Sequence, residues 1–139
     1  MNYLLDSNAI SDLMERHPQV ARHSVLHINA GDDLVISRPV YYEVLRGLLW
    51  RNAPRRLQTL RQAILPLFVW IELEDGDWEQ AAQFWADARR KGRQLGDPDL
   101  LLAALTYRLN GVLVSADADF EALPIRREDW RKQAGKPSS

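Results

Sequence analysis

The chain has 139 residues, a formal net charge of −1 and no cysteine. That length fits one domain. The missing thiols exclude disulfides and thiolate metal sites, and the balanced charge does not by itself announce a nucleic-acid binder. No apolar run approaches the roughly 20 residues of a membrane span. The opening MNYLLDSNAI lacks the basic start and long apolar stretch of a signal peptide, so a cytoplasmic, membrane-free protein is expected.

Taken in order, residues 3–5 form a short apolar run, read as a first strand. Ser7 and Asn8 then cap a helix carrying Ile10, Leu13 and Met14. Pro18 opens a second helix whose apolar positions are Val20, Val25, Leu26 and Ala30, and Gly31-Asp32-Asp33 breaks it. Residues 34–36 are the second strand. Ser37 or Arg38 caps a helix with Pro39 in its first turn, and Tyr41, Val44, Leu45 and Leu48 form its buried stripe. Ala53-Pro54 divides this helix from another bearing Leu57, Leu60 and Ile64, and residues 67–71 make the third strand.

Asp77 and Gln80 have capping-box spacing for a helix that buries Trp78, Ala81, Ala82, Trp85 and Ala88 and ends near Gly92. Asp97, before Pro98, reads as the cap of a helix apolar on nearly every side, stopped by Gly111. Residues 112–114 are the fourth strand, with a short fifth near Pro124-Ile125. The five tryptophans and Tyr41-Tyr42 read mostly as core. Strands alternating with helices give an α/β fold with a mostly parallel sheet of four or five strands. The single domain is expected over 1–134, with 135–139 a disordered tail.

In a parallel α/β sheet, the C-terminal ends of strands and the N-terminal ends of helices share the edge where ligands bind. Asp6, Glu43, Asp97, Asp99 and Asp117 all fall at that edge. Two carboxylates about 4 Å apart repel by roughly 1 kcal/mol in water and about 4 kcal/mol at intermediate dielectric, so such a cluster takes up protons or binds a cation. Oxygen ligands without cysteine or a placed histidine favour Mg²⁺, or Mn²⁺ in its stead. Bland alternatives exist for each acid: a helix cap for Asp6 and Asp97, an ion pair with Arg46 for Glu43, and turns for Asp117 and Asp119. His23 and His27, at i and i+4, have no acid or cysteine at a ligand spacing. Two basic groups, Arg46 to Arg61 and Arg89 to Arg93, read first as solvated helix faces and second as a phosphate-gripping rim.

Together these segments resemble the PIN-domain ribonucleases, specifically the VapC-type toxins of bacterial toxin–antitoxin pairs. YLLDSNAIS is similar to the family's opening, with Asp6 as first metal acid and Ser7-Asn8 at its Ser/Thr-Asn step. YYEVLRG resembles its Glu-x-x-x-Gly helix and makes Glu43 the second acid. DLLLAA resembles its Asp-x-x-Ile-Ala-Ala segment, which selects Asp99 over Asp97. VSADADF puts Asp117 in the fourth acidic position, with Ser115 for the usual threonine, and EDW at Trp130 is similar to the usual ending. The resemblance covers nearly the whole chain. It implies a three-layer α/β/α sandwich and a Mg²⁺-dependent endoribonuclease cutting a structured RNA, often tRNA. It also implies a homodimer inhibited by a VapB-type antitoxin. Asp6, Asp99, Glu43 and Asp117 would bind the metal, and Ser7 would orient a carboxylate or water.

Two other classes compete. A non-catalytic module could keep the acidic pocket for a partner's arginine, although all four acids are present. An aspartyl phosphotransferase would want a second aspartate two residues after Asp6, where Asn8 stands.

Overall fold

The computed structural model describes residues 1–132, so the expected domain end at 134 and the tail lie outside the described residues. Five strands form one all-parallel sheet in the order β3-β2-β1-β4-β5. They are β1 (Asn2–Leu5), β2 (Asp33–Ile36), β3 (Phe68–Trp70), β4 (Val112–Val114) and β5 (Arg126–Glu128). Around them lie α1 (Ser7–Met14), α2 (Pro18–Asn29), α3 (Arg38–Trp50), α4 (Pro54–Thr59), α5 (Asp75–Arg90) and α6 (Asp97–Leu109). A π-helical turn at Leu60–Ile64 and a 3₁₀ turn at Leu65–Leu67 lead from α4 into β3.

The central strands are buried on both faces, as parallel sheets covered by helices require: Leu4, Leu5, Val35, Ile36 and Leu113 are inaccessible. The chain runs outward from β1 to β3, then crosses back to β4. The strand order therefore reverses between β1 and β4, the place where open α/β sheets leave a crevice. The Asp6 amide donates to the Val114 carbonyl at 3.1 Å and extends that pairing to the crevice.

Helix α6 is the core helix that its apolar run predicts, with every residue from Leu100 to Thr106 buried. It ends with Asn110 in the left-handed region at φ 50°. Gly111 follows because a Cβ there would lie 2.8 Å from both the Asn2 carbonyl oxygen and Leu4 Cδ1. Helix α5 packs on α6 with Ala81 and Ala88 inward as expected, but Trp78, Ala82 and Trp85 are not part of the buried stripe. Asp77, Ala81, Phe84 and Ala88 face inward, while Ala82 is exposed and Trp78 and Trp85 are 57% and 45% exposed. Asp77 is the third residue of the helix, not its cap. It completes a capping box with Glu74 and bonds the Arg108 Nε at 3.0 Å from a nearly inaccessible position.

Other expectations shift in the same way. Trp50 is 81% exposed and Tyr42 59%, so of the tryptophans only Trp130 is fully core. In α2 only Val20 of the four apolar positions is buried. In α3 the buried stripe is Val40, Val44 and Leu48, with Tyr41 and Leu45 half-buried. Ser37 takes the α3 cap position without a capping bond from its hydroxyl. The fifth strand lies just beyond Pro124-Ile125, on charged residues that protect a sheet edge. His23 and His27 stack on Trp130 at 5.2 and 5.1 Å, which accounts for their pairing without a metal.

Candidate active site

Four of the five acids line one cavity of about 340 Å³ at the C-terminal edge of the sheet: Asp6, Glu43, Asp99 and Asp117. Asp6 follows β1 and is 3% exposed. It, rather than Ser7 or Asn8, caps α1, its Oδ1 accepting the Ala9 amide at 2.8 Å. Asp6 thus caps α1 and lines the cavity at once. Burial pushes its carboxyl above the usual range, against the pull of the Ser115 hydroxyl and the Ala9 amide. Ser7 and Asn8 sit in the first turn of α1 and also line the cavity.

Glu43 reaches the cavity from the middle of α3, half-buried, with its Oε2 3.7 Å from Arg46. Asp117 follows β4 and starts a 3₁₀ turn at Ala118–Ala122, its Oδ1 accepting the Asp119 amide at 2.9 Å. Asp99 lies in the first turn of α6, where the helix dipole favours an anion. Its carboxyl is nonetheless pushed up to about 7, first by burial and then by the charges of Asp6, Glu43 and Asp117. Three acids separated by up to 111 positions in the chain thus act on a fourth.

Asp97 parts from them. Gly96 takes the α6 cap position, and Asp97 is an exposed first residue beside Trp78 and Trp85. Asp119 is held by Arg93 at 3.0 Å. Ser115 is the residue the sequence reading undervalued. Buried after β4, its hydroxyl accepts the Asp117 amide at 3.0 Å and supports the Asp6 carboxylate, linking two site acids. Of the basic groups, Arg51 and Arg56 reach the cavity wall. Lys91, Arg90 and Arg93 of the second group are tied to Ala122, Asp87 and Asp119.

As the side chains stand, no three His, Asp or Glu residues among the described residues are gathered tightly enough to hold an ion. Repulsion acts over longer distances than coordination, which needs all donors within about 2.0–2.6 Å of one centre. The donor set is oxygen throughout, which fits a hard divalent ion.

A PIN domain model matches residues 3–125, nearly nine-tenths of the chain. The chain belongs to the PIN domain family. This PIN domain is 27% identical over 140 residues to Ribonuclease VapC1 of Haemophilus influenzae strain R2866, covering 95% of this chain and all of that one. Its fold is similar to that in VapBC2 of Rickettsia felis bound to a promoter DNA fragment, with TM-score 0.80, 22% identity and coverage of 92% and 98%. It is similar also to VapBC-1 of nontypeable Haemophilus influenzae, with TM-score 0.79, 24% identity and coverage of 95% and 100%. No described helix is long and apolar enough to cross a membrane.

Proposed function

We propose that this PIN domain is a Mg²⁺-dependent endoribonuclease, the toxin of a VapBC-type pair, that hydrolyses a structured RNA such as tRNA. The observation that carries the reading is the one cavity into which Asp6, Glu43, Asp99 and Asp117 converge, where burial first and the three other charges second raise Asp99 to about 7. The ribonuclease name of its relatives supports the reaction class.

Asp6 and Asp99 would hold the ion, with Glu43 and Asp117 completing the donor set; Mn²⁺ would substitute. When bound, the ion supplies Lewis-acid polarisation of the phosphate and a lowered pKa for water. The chain's own contribution is positioning. The Ala9 amide and Ser115 hydroxyl fix the Asp6 carboxylate in one orientation. Glu43 and Asp117 accept hydrogen bonds from the attacking water, and the Ser7 hydroxyl orients a carboxylate or water at the cavity mouth. The expected partners are a VapB-type antitoxin that covers the acids and a second copy of this chain.

Expression of the wild type and Asp6→Asn in cells, with mapping of new RNA 5′ ends, tests the reading. Growth arrest and a discrete cut are expected from the wild type alone. Cutting by folded Asp6→Asn, or cutting that persists in excess chelator, refutes it.

A further inference from the structure

Helix α3 carries Glu43, Gly47 and Arg51 at successive steps of four, which stacks them on one face. At Gly47 an added Cβ would first meet the Arg51 Nη2, at 3.4 Å. The guanidinium therefore folds back along the helix, over the glycine and in the direction of Glu43. Glu43 and Arg51 both line the acid cavity. The other arginine in its wall, Arg56, is 3.1 Å from Glu15. Among the described residues, Arg51 has no carboxylate partner and no hydrogen bond, although five acids, Glu15 among them, share its cavity.

We infer that Arg51 is the substrate-binding residue that holds the non-bridging oxygens of the scissile phosphodiester, and that Gly47 is the open track its side chain lies in. The inference rests on the nuclease reading and adds a residue to it. The bound ion would offset the repulsion between the acids and a phosphodiester only in part, and a cation that belongs to the protein and faces the substrate adds to it. In hydrolysis the water oxygen bonds to phosphorus, the bond to the leaving sugar oxygen breaks, and a proton of the water ends on that oxygen. Negative charge accumulates on the non-bridging oxygens meanwhile. A planar guanidinium can meet two of them with parallel N–H donors, and its bonds strengthen as that charge grows. At 3.4 Å a Cβ alone would make ordinary contact with the guanidinium, so it takes a longer side chain at 47, such as leucine, to compete for its space.

The test compares cleavage of total bacterial RNA with Mg²⁺, read as new 5′ ends, by the wild type, R51A, R51K, G47L and the double variant R51A/G47L. Circular dichroism verifies each fold. R51A should lose about 100- to 1000-fold in rate, the usual cost of one oxyanion donor. R51K should recover little, because an ammonium is a point charge without the fork. Millimolar guanidinium should restore part of the activity of R51A and none to the wild type. G47L should fall in the same direction, and the double variant should be no worse than R51A. R51A that cuts close to the wild-type rate, a lysine that replaces arginine fully, or no response of folded R51A to guanidinium would overturn the inference. Should R51A fail to fold, an undiminished G47L overturns it instead. Failure of the nuclease reading looks different: the wild type itself leaves RNA uncut.

Discussion

Asp99→Asn in the metal-free protein should stabilise the fold at alkaline pH. In the folded chain the Asp99 carboxyl sits at about 7, whereas an unfolded aspartate titrates near 3.9. Between those values the folded state holds a proton that the unfolded state has released. Stability therefore falls as pH rises from about 4 to about 7, and the full cost is present above that. Three units correspond to about 4 kcal/mol as an upper limit. Solvent screening at a half-exposed cavity mouth reduces this to about 1–2 kcal/mol. For a chain of this length that is about 3–7 °C in Tm. Thermal melts in chelator from pH 5 to pH 8.5 should show Asp99→Asn above the wild type at the alkaline end, with the gap closing towards pH 5. Adding Mg²⁺ at pH 8.5 should raise the wild type and leave the variant nearly unmoved. A variant that melts at or below the wild type at pH 8.5, with the same gap at pH 5, refutes the claim that the acids repel through Asp99.

Asp6 separates capping from chemistry. Asp6→Asn keeps an N-cap acceptor and should unfold close to the wild type, while Asp6→Ala should lose about 1 kcal/mol in urea melts; both should abolish cleavage. Asp77→Ala removes one of the acids that hold Arg108, which keeps Glu74 at 3.3 Å, and breaks the α5 capping box; it should cost about 1–2 kcal/mol by denaturant titration with no direct effect on the acid cavity. Trp130→Ala empties a fully buried site against Tyr3, His23 and His27 and should cost about 3–5 kcal/mol, read as a lower midpoint. Gly111→Ala forces a methyl into the Asn2 carbonyl and should lower Tm, whereas Gly92→Asn, at φ 73° with open space around it, should move it little.

The parts of this molecule legible in its sequence are those where one pattern dominates. LLLAAL reads as a buried helix, and Asp6 and Asp117 follow strands, Asp99 opens a helix and Glu43 lies within the helix after β2, so the α/β topology brings them to one edge. Helix α5 was misread because two adjacent stripes are both apolar enough. Residues 77, 81, 84 and 88 compete with 78, 82 and 85, and the heavier tryptophans sit on the losing side. Phe84 decides the matter by packing edge-on against Tyr107 of α6, a contact no periodicity reports. Asp77 looks wrong on a buried stripe until Arg108, 31 residues later, is seen to neutralise it. Strand β5 was placed too early because an edge strand made of Arg126, Arg127 and Glu128 carries no apolar signal. The role of Ser115 depends on two partners that only the β1–β4 crevice brings within reach.

The crevice between β1 and β4 has a further consequence during synthesis. β1 is made first, but its neighbour β4 and the last site acid, Asp117, arrive more than a hundred residues later. At about 5–20 residues per second, several seconds separate the two halves of the site. A nascent or truncated chain ending before β4 holds at most three of the four acids and lacks one wall of the crevice. A nuclease assembled this way has no active fragment on the ribosome that makes it, and its activity begins only with a nearly finished chain.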